Sequence, residues 1–227
     1  KNNIQEKTNL LKNNNKIEVI HHGVSIIREE RNLEKLNYVF NKVDKNIFKI
    51  GMLSRIEYNK GQIDLVMAFN QLPDKLKEKI NIFFIGESKL GEVKKIKKKI
   101  EALKLNNFFH FPGYIDCDSI SILSRLDLLV SLTKEFEGFG LSLAESLFAE
   151  TPILSTNVGA VSEFLNNKNS KLIPPNNLDA VTSSLVDFVK FNNEWKNRAS
   201  KGKKIILENF TAEIMAKKYY SNGEKLI

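Results

Sequence analysis

The chain has 227 residues, 42% of them hydrophobic and 27% charged, which suits one large globular domain or two small ones and excludes a disordered chain. No run approaches the ~18 apolar residues of a membrane span, and the polar start KNNIQEKTNL is no signal peptide, so a soluble protein is expected. The single cysteine, Cys117, excludes an internal disulfide and points to a reducing, cytoplasmic setting, while the net charge of +8 raises polyanions and anionic membranes as partners to be weighed.

The chain opens on Lys1 rather than Met, which suggests a partial chain, and residues 1–15 read as the remnant of a linker or preceding domain. Lys16–Ile20 predicts a strand, ahead of His21-His22-Gly23. From about residue 46 short apolar runs alternate with helical patterns. Strand Ile47–Leu53 leads to helix Gly61–Leu72, Ile80–Ile85 to Leu90–Leu103, and Phe108–Phe111 to Ser119–Arg125. Strand Leu128–Leu132 then leads to helix Ser142–Ala149, Ile153–Ser155 to Val161–Leu165, and Lys171–Ile173 to Leu178–Lys190. The strands are short and do not alternate strictly, as expected when both faces of a parallel sheet are covered. Strand and helix taking turns predicts βαβ units, hence an α/β domain with a Rossmann-like, doubly wound parallel sheet over residues 16–190. Residues 191–227 read as C-terminal helices anchored by Trp195, Ile205, Phe210, Ile214 and Tyr219.

Within Leu90–Leu103 the apolar residues Val93, Ile96, Ile100 and Leu103 recur at helical spacing. The lysines of Val93-Lys-Lys-Ile-Lys-Lys-Lys-Ile100 are then the solvated face of an amphipathic helix. The alternative is an attraction to acidic lipids, which would place the protein peripherally at the inner face of a membrane. No nucleic-acid partner is expected.

Gly51, Gly86, Gly113 and Gly138 fall within or just beyond the carboxyl ends of predicted strands, where open α/β sheets bind ligands. The stretch EFEGFGLSLAES, residues 135–146, places Gly138 and Gly140 around Phe139 where a strand should give way to a helix. Glycines there let backbone N–H groups face a ligand, and a helix entrance carries unpaired N–H groups and partial positive charge. Glu137 in the loop and Glu145 in the first turn can converge on one cleft. Ser142-x-x-Glu145 also reads as a capping box, in which Glu145 would serve only the helix, and Glu137 also reads as a surface acid. Asp116-Cys117-Asp118 has the D-x-D form of a metal site, but it directly precedes a helical pattern and an N-cap is the expected job. No metal site is expected, and Cys117 beside two acids gains no thiolate stabilisation. His21 and His22 read as local backbone structure rather than as a general base.

EGFGLSLAESLFAETPILSTNVGAVSEFL resembles the E-x7-E signature of the glycosyl transferases group 1 family, running into a Gly-x-x-x-Glu turn, Gly159 to Glu163. Gly51-Met-Leu-Ser-Arg55 with Lys60-Gly61 resembles the family's G-R-L-x-x-x-K-G loop, Ile85-Gly86-Glu87 its second-strand turn, and Phe111-Pro-Gly113-Tyr114 its base-pocket turn. The segment from Phe210 to Tyr219 is similar to its closing helix, and His22-Gly23-Val24 to the segment entering the domain. Ala160 stands where a second glycine is usual.

The resemblance implies the C-terminal, donor-binding half of a two-domain, retaining GT-B glycosyltransferase. By position, Arg55 and Lys60 would hold the donor diphosphate, with Gly86 in the turn beside it, and Glu145 would bond the ribose hydroxyls. Glu137, with the backbone of Phe139, Gly140 and Leu141, would hold the donor sugar and distal phosphate, and Tyr114 and Ile115 would border the nucleobase. Glu137, Lys60 and Arg55 would carry the chemistry without a cofactor or metal. The implied partners are a UDP- or GDP-linked sugar, an N-terminal acceptor-binding domain outside these residues, and a glycan or lipid-linked acceptor of the kind used in polysaccharide or lipopolysaccharide assembly. The isolated chain is expected to be inactive. A nucleotide-sugar-binding module without transferase activity and a GT-B epimerase are the alternatives.

Overall fold

The computed structural model describes residues 18–26, 32–88 and 91–224. Six strands form one sheet in which every pairing is parallel: β1 (Phe48–Leu53), β2 (Ile80–Ile85), β3 (Phe109–Gly113), β4 (Leu128–Ser131), β5 (Ile153–Thr156) and β6 (Lys171–Ile173), in the order β3-β2-β1-β4-β5-β6. The helices are α1 (Leu33–Phe40), α2 (Gln62–Asn70), α3 (Asp74–Lys77), α4 (Glu92–Ala102), α5 (Ser119–Leu123), α6 (Leu141–Phe148), α7 (Leu178–Asn209) and α8 (Ala212–Glu224).

β2 shows why its sequence makes a central strand. All six residues of INIFFI are buried. The twofold period sends Ile82 and Phe84 to one core, with Leu65 and Phe69 of α2, Ile96 of α4 and Phe188 of α7. It sends Phe83 and Ile85 to the other, with Leu36 and Phe40 of α1, Leu123 of α5, and Leu143 and Leu147 of α6. Each such side chain contributes about 1.5–3 kcal/mol by leaving water, so covering both faces is what makes the parallel sheet stable.

Several elements differ from expectation. Of the predicted strand Lys16–Ile20, residues 16 and 17 lie outside the described residues and residues 18–20 form no strand. The chain enters through a single bridge instead, the Val24 N–H donating to the Phe210 carbonyl at 2.7 Å and the Ala212 N–H to the Val24 carbonyl at 3.0 Å. Val161–Leu165 shrinks to a 3-10 turn at Val161–Glu163, and α1 and α3 were not anticipated. α7 continues past Lys190 with a kink at Phe191 (φ −127°, ψ 34°). Trp195 spans that kink, donating from Nε1 to Asp187 Oδ2 at 2.9 Å. Trp195 and Phe210 are buried and Ile205 and Ile214 partly so, but Tyr219 is 60% exposed, because α8 runs out into solvent beyond its first turns. Among the described residues no helix is long and apolar enough to cross a membrane.

Candidate functional site

β1 and β4 are neighbours, yet the chain leaves β1 for β2 on one side and β4 for β5 on the other. Their carboxyl ends therefore diverge into opposite layers and leave a crevice between the loops. The first loop carries Arg55 and Lys60. The Gln62 amide, 2% exposed, donates to the Arg55 carbonyl at 2.9 Å and to Ser54 Oγ at 3.3 Å, which ties the loop to the start of α2. Gly61 (φ +77°) presses the loop onto β4, since a Cβ there would stand 2.5 Å from the Leu132 carbonyl oxygen.

The second loop, between β4 and α6, closes against the first. The Lys134 N–H donates to the Asn59 carbonyl at 2.9 Å, and the Lys134 ammonium pairs with Asp64 at 2.6 Å. Between these anchors Lys60 Nζ meets Glu137 Oε2 at 2.7 Å, each side chain 18% exposed. Thr133 Oγ1 donates to the same carboxylate oxygen at 3.0 Å, and Thr156 Oγ1 donates to the Thr133 carbonyl at 2.6 Å. Gly159 (φ +60°) lies flat on the Glu137 backbone, where a Cβ would meet the Glu137 carbonyl oxygen at 2.1 Å, and the Ala160 N–H donates to that carbonyl at 2.9 Å. Phe139 is 5% exposed and packs on Phe164 and Phe210 with centroids 4.9 and 5.7 Å away, so it anchors the loop from below.

Gly140 is the N-cap of α6, in left-handed backbone (φ 80°, ψ 65°). The N–H groups of Leu141 and Ser142 thus open the helix without intrahelical partners. Ser142 lies inside the helix and no side chain caps it, so the Ser142–Glu145 capping box is not formed. Glu145 instead lines a cleft of about 330 Å³ with Gly86, Tyr114, Ile115, Cys117 and Ser119. Burial pushes its carboxyl above the usual glutamate range, with the Ser119 hydroxyl opposing that shift. Burial likewise pushes the Cys117 thiol up, with Asp118 adding to it.

The sequence-predicted residues thus fall into two adjoining groups. Lys60 and Glu137 meet directly, and Gly86, Tyr114, Ile115 and Glu145 share one cleft on the side of α6 that carries Ser142. Arg55 stands at the end of β1, 67% exposed, with its guanidinium 3.4 Å from Glu57, and is not ion-paired with Glu137 among the described residues. Leu141 is 44% exposed at the helix entrance, Tyr114 is 59% exposed at the cleft mouth and Ile115 is buried in its wall. Asp118 caps α5, accepting from the Ser121 N–H at 2.8 Å, while Asp116 accepts from Asn32. Among the described residues no three His, Cys, Asp or Glu side chains gather as metal ligands.

Sequence reasoning missed the groups that position Glu137, namely Thr133, Thr156 and the Asp64–Lys134 pair, because none sits in a motif. It also missed that His21 binds the Glu163 carboxylate, Nε2 to Oε2 at 2.5 Å, across 142 positions of chain.

Comparison with known proteins bears on the family and the fold. The family model described as Glycosyl transferases group 1 matches residues 35–205. An uncharacterized glycosyltransferase of Methanocaldococcus jannaschii is 26% identical over 95% of this chain and 54% of its own length. The poly(glycerol-phosphate) alpha-glucosyltransferase of Bacillus subtilis is 32% identical over 63% of this chain and 21% of its own. The chain therefore spans about half the length of the first of these relatives and less of the second. The Anabaena protein HepE, crystallised in complex with UDP-glucose, superposes with a TM-score of 0.80 at 20% identity over 92% of this chain and 57% of that one, a likeness of fold. With three quarters of its length covered by the family model and the same parallel sheet as a GT-B neighbour, the chain belongs to the glycosyl transferases group 1 family, as a C-terminal domain of the GT-B fold.

Proposed function

We propose that this chain binds a nucleoside-diphosphate sugar and supplies the donor half of a glycosyl transfer, completed by an acceptor-binding domain. Glu145 and its cleft take the ribose and base, Tyr114 and Ile115 bordering the base. Lys60, the N–H groups at the start of α6 and, after a side-chain swing, Arg55 take the diphosphate. Glu137 and the backbone of Phe139, Gly140 and Leu141 take the sugar. As the sugar–phosphate bond breaks, the bonding pair leaves on the diphosphate, and fixed positive charge stabilises it there in the role a metal fills elsewhere. The acceptor oxygen attacks from the face the diphosphate leaves and gives up its proton to the departing phosphate oxygen, so configuration is retained. The alpha-glucosyl product named for the B. subtilis relative accords with retention from an α-linked donor. The lysine face of α4 adds a weak, salt-sensitive attraction to an anionic membrane at its cytoplasmic side.

The observation that carries this reading is the Lys60–Glu137 pair, held at the sheet's switch point beside the entrance of α6. Calorimetric titration with UDP, GDP and ADP tests it. One nucleotide should bind, and Lys60→Ala should weaken it about 10- to 100-fold, the loss of a charge-assisted hydrogen bond of about 1.5–3 kcal/mol. Unchanged affinity in the variant, or no binding of any of the three by the folded wild type, would sink the proposal.

A further inference from the structure

Helix α1 carries none of the donor-site motifs, yet it is firmly seated beside the turn that follows β3. Leu36 and Phe40 are buried, Phe40 packing on Phe83 of β2 with ring centroids 4.9 Å apart. Arg125, just past α5, donates to Asn37 Oδ1 at 2.8 Å and ties the outer face of the helix down. From this fixed base two side chains reach the turn. Lys35 Nζ donates to the Tyr114 carbonyl at 3.0 Å, across 79 positions of chain. Asn32 Nδ2 donates to the Asp116 carbonyl at 2.9 Å and to Asp116 Oδ2 at 3.0 Å, across 84. Asn32 makes this contact instead of its ordinary one. An asparagine at a helix N-cap usually accepts from the helix's own first N–H groups, but here no side-chain cap bond forms and the backbone is left-handed (φ 51°, ψ 33°).

The two bonds pin the carbonyls of the residues flanking Ile115, which lines the cleft of Glu145. A trans peptide points its C=O and N–H in opposite directions. With the Tyr114 carbonyl turned to Lys35, the Ile115 N–H is therefore turned away from α1. Lys35 itself lines a separate groove along β3, with Phe109, His110 and Pro112, so α1 and the cleft flank the turn from opposite sides. The Ile115 N–H has no hydrogen-bond partner among the described residues, whereas the Ile115 carbonyl already accepts from the Cys117 N–H at 2.9 Å. At this residue the wall of the cleft offers a donor.

We propose that Asn32 and Lys35 are positioning residues that set which nucleobase the cleft takes. They hold the Ile115 N–H toward the base, and the Lys35 ammonium strengthens it as a donor by polarising the peptide group the two share. Uracil and guanine carry a carbonyl oxygen at the exocyclic position where cytosine and adenine carry an amine. A fixed donor meets the first pair with a hydrogen bond and sets donor against donor in the second. The cleft accordingly takes a keto-base nucleoside diphosphate in preference to its amino-base counterpart. This assignment rests on the donor reading above and narrows it.

Calorimetry of the 227-residue chain with two matched pairs, UDP with CDP and GDP with ADP, tests it. The tighter of UDP and GDP should exceed its amino partner roughly tenfold, about one hydrogen bond's worth. Lys35→Met should weaken that keto nucleotide and bring the preference down to about threefold or less, and Asn32→Ala should act in the same direction. Lys35→Arg keeps a charged donor and should restore most of the preference. Lys35 is exposed, so its replacement spares the core, and thermal unfolding of each variant reports the fold. A contact that only stabilised the turn would weaken both members of a pair together and leave their ratio as in the wild type; that result overturns the proposal. So does a wild type that binds CDP or ADP as tightly as its keto partner. Binding without preference sinks this inference alone, whereas binding of none of the four by the folded wild type sinks the donor reading beneath it.

Discussion

Gly159→Ala tests how the Glu137 loop is held. The new Cβ would stand 2.1 Å from the Glu137 carbonyl oxygen and 2.8 Å from its nitrogen, and both contacts are to backbone, which cannot swing aside as a side chain would. Left-handed backbone at φ +60° costs a non-glycine residue about 1–2 kcal/mol, and forcing a methyl into a filled space about 1–3 kcal/mol. Together these predict a loss of about 2–5 kcal/mol, or a Tm lower by about 4–20 °C for a domain of this size. Gly91→Ala is the control. Its φ of +87° carries the same conformational cost, but among the described residues nothing lies within 4 Å of the added methyl, so only the first loss of about 1–2 kcal/mol is expected. Relief of the clash displaces the Glu137 backbone and the Ala160 N–H bond to it, so UDP-glucose affinity should fall about tenfold in Gly159→Ala alone, one charge-assisted hydrogen bond's worth. Thermal unfolding and calorimetry of both variants decide the matter. Equal Tm losses, with nucleotide binding intact in both, would refute the claim that this glycine positions Glu137.

Two further outcomes follow from the second cleft. Burial holds the Glu145 pKa above its unfolded value, so the folded chain binds that proton more tightly. The stability it contributes is complete below the ordinary glutamate range and is lost as pH rises through the raised value. Glu145→Gln should therefore be at least as stable as wild type at neutral pH, with a flatter Tm profile from the glutamate range upward, while binding nucleotide more weakly; parallel profiles would contradict the burial argument. Cys117, its thiol pushed up by burial and by Asp118, should be alkylated more slowly than free cysteine at mildly alkaline pH, and more slowly still with UDP in the cleft it lines. A rate equal to that of free cysteine, unaffected by UDP, would place the thiol elsewhere.

The strands were legible because their information is local. Ile80–Ile85 and Lys171–Ile173 have the predicted bounds, and β1, β3, β4 and β5 fall within two residues of theirs, since an apolar run flanked by glycine or proline reports burial on both faces without reference to its neighbours. α1 was missed in a polar, asparagine-rich stretch where only Leu36 and Phe40 are buried. α7 was cut at Lys190 although no proline or glycine stops it there, and what bends it is tertiary, with Trp195 reaching back to Asp187. Tyr219 sits at helical spacing from Met215, a pattern that gives no sign of whether a partner surface lies opposite, and here none does among the described residues.

The same division runs through the site. The sequence by itself determined the family, the parallel sheet and the glycine-loosened entrance of α6, because turn chemistry and strand period act over a few residues. It could name Lys60, Glu137 and Glu145 but not how they are arranged. That Lys60 meets Glu137 across 77 positions, that Glu145 turns into a cleft instead of capping its helix, and that Arg55 faces Glu57 were decided by strand order. Contacts between residues so far apart exist only once β1 and β4 lie side by side, and no local pattern encodes the angle at which their loops then meet.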